Sequence, residues 1–135
     1  MSVRIVRLGS PRLPGEGPRL GTVRRPPRGV RREDIAARDF YDVWLPTLAP
    51  RPETVKLAFA ATTGRQLETF RRRYRREMAT GEARHVLATL AALSRAADFS
   101  VGCYCEDASR CHRSVLRELL REHGAVLAED GLDIA

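Results

Sequence analysis

The sequence contains no asparagine, a single lysine (Lys56), and aromatic residues at only 6% of its 135 positions. Arginine has taken lysine's place, the pattern expected where GC-rich codons are favoured. That bias explains the kind of positive charge but not its amount. No stretch approaches the ~18 consecutive apolar residues of a membrane helix, and the arginine-rich start lacks the apolar run of a secretory signal. Cysteine is scarce and odd in number: three residues crowd between Cys103 and Cys111. This argues against a secreted disulfide framework and for reduced thiols or metal ligands. The absences together lead us to expect a cytoplasmic protein without a membrane partner. At this length, a 43% hydrophobic composition supports one core without staples, so residues 1–135 read as a single domain.

What the chain has in excess is positive charge, +7 in total, and the excess is local. Residues 1–32 hold nine arginines and one acid, Glu16, whereas the remainder holds fifteen basic and sixteen acidic residues. A near-neutral body therefore carries a basic amino-terminal quarter. Such asymmetry hints at a phosphate-bearing partner, a small molecule or a nucleic acid. Within that quarter, Arg24-Arg25-Pro26-Pro27-Arg28-Gly29 sets three guanidinium groups on backbone stiffened by proline and released by glycine. Two readings stand for this loop: an anion cradle, or a solvated basic turn.

Hydrophobic periodicity outlines an α/β fold. Val3 to Leu8 reads as a strand, and the Pro/Gly-rich stretch from Pro11 to Gly29 as a long loop with a short strand near Leu20–Arg24. Helices are expected over Arg32–Leu45 and Glu53–Ala61. Another follows Thr63, which with Gln66 has capping-box spacing, and presents Leu67, Phe70, Tyr74 and Met78 at helical intervals. The arginines interleaved there read mostly as a solvated face. Thr80 caps a further helix, in which His85 reads as structural. Phe99 to Cys105 alternates as a strand, Cys111 to His123 forms a helix, and Ala125–Leu127 is a last short strand. Strands separated by helices imply a small, at least partly parallel sheet flanked by helices.

The chemistry gathers in Gly102-Cys103-Tyr104-Cys105-Glu106, running through Cys111-His112-Arg113-Ser114. This segment leaves the carboxyl end of a strand and enters a helix amino terminus. That is where open α/β sheets bind ligands and where a thiol pKa falls. A Cys-x5-Arg phosphatase loop fails on spacing, because Ser109 and Cys111 stand where arginine is needed. A rhodanese-like loop from Cys105 to Arg110 fits by length, but Glu106 and Asp107 put negative charge in the cradle. A haem-attachment motif fails because Cys105 precedes Cys111 by six positions rather than three. Cys103, Cys105, Cys111 and His112 form an acceptable zinc set. Against it, no paired knuckle is present, and neighbouring helix residues such as Cys111 and His112 project about 100° apart. The plain alternative is that the cysteines are small buried strand residues.

Four blocks of residues together resemble the domain-of-unknown-function family 488, in the branch with a Gly-Cys-Tyr-Cys-Glu…Cys-His-Arg-Ser motif. They are Arg19-Leu20-Gly21-Thr22-Val23-Arg24 through Gly29; Tyr41-Asp42-Val43-Trp44-Leu45-Pro46 with Leu48-Ala49-Pro50; Phe70-x3-Tyr74-x2-Glu77-Met78; and Gly102 through Ser114. The resemblance covers nearly the whole chain and implies a prokaryotic α/β protein, but no established reaction. This chain has Arg51 where many members carry serine, and Val23 and Pro26 where many carry Asp and Trp. Other branches keep the Pro-Arg-Gly loop while lacking the cysteines. The shared element is then Arg24, Arg28 and the helix start near His112 and Arg113.

From these residues the leading expectation is an enzyme-like domain binding a phosphate-bearing ligand, a nucleotide or nucleic-acid end. Arg24, Arg25, Arg28, Arg113 and Ser114 would hold the anion, since guanidinium forks match phosphate oxygens. Cys105 or Cys111 would be the nucleophile or redox centre and His112 the general acid or base. The alternative is a non-catalytic zinc-binding or nucleic-acid-binding module, with Cys103, Cys105, Cys111 and His112 as the metal set. The residues specify no cofactor, reaction or oligomeric state.

Overall fold

The computed structural model describes residues 1–128, which form four strands and four α-helices. β1 (Val3–Arg7), β2 (Arg19–Gly21), β3 (Val43–Trp44) and β4 (Phe99–Cys103) lie in the order β1-β4-β2-β3. Every pairing is parallel: Val101 of β4 sits between Ile5 of β1 and Leu20 of β2, and Leu20 pairs onward with Val43. The fold is α/β with a parallel sheet, as the pattern implied. Parallel strands bring their carboxyl ends to one edge. Because β4 lies beside β2, the loops leaving these two strands emerge side by side.

β4 is buried at all five positions, as a central parallel strand covered on both faces should be. On one face Val3, Ile5, Phe99 and Val101 pack beneath α2 (Gly64–Met78), α3 (Gly81–Leu93) and α4 (His112–Glu122), through Tyr74, Met78, Leu87, Leu116 and Leu120. α2 starts at the expected capping box, with the Gln66 N–H donating to Thr63 Oγ1 and the Thr63 N–H donating to Gln66 Oε1, both at 3.2 Å. α1 (Pro52–Ala60) precedes it. The second buried cluster lies under irregular chain: Val6 and Leu8 join Val23, Ile35, Tyr41, Cys103 and Cys111. Gly102 permits the close approach here, since a Cβ at that position would overlap the Val6 carbonyl.

Three expectations are corrected. The helix over 32–45 is absent: a 3-10 turn spans Arg32–Asp34, Asp39 adopts φ 65°, and the chain enters β3. Tertiary pairing prevails over the apolar spacing, because the Asp42 N–H donates to the Arg19 carbonyl at 2.8 Å and the Leu45 N–H to Gly21 at 2.9 Å. β4 ends at Cys103, not Cys105. The last strand shrinks to one parallel bridge, Val3 to Leu127.

Part of the amino-terminal charge is structural. Arg19 is 1% exposed and pairs with Glu16, which is 2% exposed. Its guanidinium also donates to the carbonyls of Ser10 (2.8 Å), Asp39 (2.6 Å) and Pro11 (3.2 Å). Arg12 bonds Asp39 and, through two nitrogens, Asp42. Among the described residues, no helix is long and apolar enough to cross a membrane.

Candidate functional site

Cys103 closes β4, Cys111 is the N-cap of α4, and His112 is its first residue; all three are buried. One donor atom from each lies within 4.8 Å of the others. The divergence expected of neighbouring helix residues does not arise, because Cys111 stands outside the helix in extended backbone (φ −118°, ψ 156°). Its Sγ therefore comes within 3.6 Å of His112 Nδ1. The sulfurs of Cys103 and Cys111 meet, while their Cα atoms stand 8.0 Å apart. The structure joins the two as a disulfide, yet that span exceeds the ~4.4–6.8 Å of a regular one.

The other ring nitrogen determines what His112 offers. Nε2 is 2.7 Å from the Thr22 carbonyl, which can only accept, so Nε2 carries the hydrogen and the Nδ1 lone pair faces the sulfur. Thr22 is itself held by its hydroxyl and its N–H, which donate to the Gly102 carbonyl at 2.9 and 3.0 Å. The Tyr74 ring packs edge-on against the imidazole, 5.2 Å between centroids, and its hydroxyl donates to Leu48. Burial pulls the His112 pKa down to about 4, overcoming the bond to Thr22, and the Arg113 charge lowers it further. The imidazole is uncharged at neutral pH.

Cys111 and His112 border a cavity of about 300 Å³. Pro50, Val55, Ala58, Phe59 and Phe70 supply its apolar wall, and Cys105, Glu106, Asp107 and Arg110 complete the lining. Arg110 is anchored to the Ala61 carbonyl at 2.7 Å, and Asp107 accepts from the Ser109 N–H to cap a 3-10 turn. Cys105 is exposed, yet the protein packed around its thiol pushes its pKa up, with Arg113 and Arg7 pulling the other way. It is not part of the Cys103, Cys111 and His112 cluster.

The arginines divide into two groups. Arg24 donates to the Pro50 and Ala49 carbonyls at 3.1 and 3.0 Å, bracing the segment that enters the cavity wall. Arg113 is 2% exposed and donates to the Cys105 carbonyl. Arg25 and Arg28 are exposed on the loop after β2, and the Tyr104 hydroxyl holds that loop through the Arg25 carbonyl at 2.9 Å. The Ser114 hydroxyl donates to the Cys111 carbonyl. His85 is exposed on α3.

A family model described as DUF488-N3a, the active DUF488-N3 subclade, matches residues 3–124, from the first strand through the last helix. The chain belongs to the DUF488 family. Neither a curated protein nor a solved structure matches it. The DUF488 match spans both loops at the carboxyl edge, the one after β2 and the one joining β4 to α4.

Sequence reasoning missed several residues of this DUF488 edge. Thr22 acts through its backbone carbonyl, which no side-chain pattern reveals. Arg71, one of the interleaved arginines of α2, donates to the Ser109 carbonyl at 2.9 Å and so steadies the turn before Cys111. Tyr104, enclosed by two cysteines in sequence, ties this segment to the loop after β2 through the Arg25 carbonyl.

Proposed function

We propose that this DUF488 chain is an enzyme-like domain that takes a phosphate-bearing ligand, a nucleotide or a nucleic-acid end, at the carboxyl edge of its sheet. The supporting observation is that two bonds stitch the basic loop to the cysteine segment: His112 Nε2 to the Thr22 carbonyl, and the Tyr104 hydroxyl to the Arg25 carbonyl. Exposed Arg25 and Arg28 thus belong to the loop that borders the thiol and imidazole cluster. They are the arginines assigned to the anion, while Arg24 and Arg113 hold backbone carbonyls of the surrounding segments. Cys111 is the assigned nucleophile, with His112 Nδ1 positioned to accept its proton. Cys105 lines the same cavity as a second thiol, and Ser114 steadies the Cys111 carbonyl.

Calorimetric titration of the full chain with a nucleoside triphosphate, and separately with a terminally phosphorylated oligonucleotide, tests the assignment. Saturable binding that weakens at least about tenfold in the Arg25→Ala, Arg28→Ala double variant is expected, roughly 1.4 kcal/mol. Equal affinity in the variant, or no binding of either probe, overturns it.

A further inference from the structure

We infer that Cys103, Cys111 and His112 form a three-ligand site for a thiophilic divalent cation, zinc in the first instance, with its fourth position open toward the cavity. The inference rests on the reading of this sheet edge as the ligand site and reassigns two residues within it: with the ion bound, Cys111 Sγ and His112 Nδ1 are ligands rather than nucleophile and base, and the group in the open fourth position is the reactive one. Two thiolates and an imidazole select zinc over magnesium or calcium, which require oxygen ligands. The Cys111 Sγ to His112 Nδ1 separation of 3.6 Å fits two ligands spanning one tetrahedral zinc, given bond lengths of about 2.3 Å to sulfur and about 2.0 Å to nitrogen. The Cα separation of 8.0 Å between Cys103 and Cys111 is too long for a regular disulfide, and in the reduced chain the two sulfurs and the imidazole offer donor atoms within 4.8 Å of one another.

The surroundings favour the same assignment. Metal-bound histidines typically donate their second ring N–H to a backbone carbonyl or carboxylate, which sets the tautomer and aims the ring. His112 does this through Nε2 to Thr22, leaving Nδ1 toward the sulfur. Each ligand sits at the edge of a regular element, at the end of a fully buried strand or the start of a helix. Closed structural zinc sites take four protein ligands, whereas three with an open position is the catalytic form. Here the cavity reaches Cys111 and His112, so water or a ligand group has access from that side.

The test is a cobalt(II) titration of the full chain, reduced and stripped of metal, followed by zinc displacement. One equivalent should bind, giving sulfur-to-cobalt charge-transfer absorption and the intense visible bands of a tetrahedral site, and zinc should abolish both. Zinc should also raise the thermal midpoint of the wild-type chain, so the test does not depend on any variant folding. Cys105→Ser should retain the spectrum, while Cys111→Ser and His112→Gln should lose it or bind more than about tenfold more weakly. A reduced chain that takes up no cobalt, a spectrum lost in Cys105→Ser, or a Cys103 to Cys111 disulfide that persists under reductant would overturn the site. Nucleotide binding without cobalt binding would remove the metal alone; cobalt binding without nucleotide binding would remove the phosphate reading alone.

Discussion

Two buried polar clusters flank the β2–β4 pair, and they differ in closure. Around Arg19 the guanidinium is hydrogen-bonded through all three nitrogens to a carboxylate and surrounding carbonyls. Around His112 one ring nitrogen is committed to Thr22, while the other faces a thiol beside an accessible cavity. Both clusters draw on residues of one basic amino-terminal quarter, yet the first has its polar atoms paired within the protein and the second leaves a ring nitrogen facing a cysteine sulfur. Buried charge becomes informative about function only after its partners are counted.

The contrast can be broken at its closed end first. Arg19→Met leaves Glu16 as an uncompensated buried carboxylate and should lower unfolding free energy by about 3–5 kcal/mol, read as a fall in the urea midpoint. A loss comparable to that of a surface substitution would erase the distinction. On the open side, Gly102→Ala drives a Cβ into the Val6 carbonyl and should cost about 1–3 kcal/mol. Its zinc or ligand response should fall with it, because Gly102 carries the carbonyl that holds Thr22.

Acid titration sharpens the comparison further. Burial raises the Glu16 carboxyl, but bonds from Arg19 and Leu13 outweigh it and leave the folded pKa below the ordinary 4.5. Asp42 is likewise below its ordinary value: burial raises it, and bonds from the Arg19 N–H and Arg12 outweigh that. Between the folded and ordinary values the unfolded chain holds more protons, so stability rises with pH there. It is fully present above the ordinary values and lost as pH falls through the folded ones. Denaturation at a series of pH values should show this acid-side decline, shallower in Arg19→Met. The smallest effect belongs to Cys105→Ser: the residue is exposed, and stability should stay within about 0.5 kcal/mol of wild type.

The sequence made regular elements legible where period and caps agreed. Thr63 with Gln66, the buried Phe70, Tyr74 and Met78, and the apolar face of α4 all lie where their spacing puts them. Residues 32–45 misled because Ile35, Phe40 and Val43 mimic a helical stripe, while the backbone of Asp42 and Leu45 is taken by sheet pairing with distant residues. Cys111 and His112 were visible as chemistry but not as geometry. Their convergence depends on one residue, Cys111, staying extended outside the helix. The arginines were legible as charge only, since nothing local distinguishes buried Arg19 from exposed Arg28.

The proposed ligand edge consists of the loop after β2 together with the cysteine segment. Amide chemical-shift mapping of the isotope-labelled chain during titration with a nucleoside triphosphate tests it most directly. Saturable shifts concentrated in residues 22–30 and 103–114 are expected, with the Arg19 cluster unmoved. Shifts centred on the arginine-rich surface of α2, or none in those two segments, would contradict it.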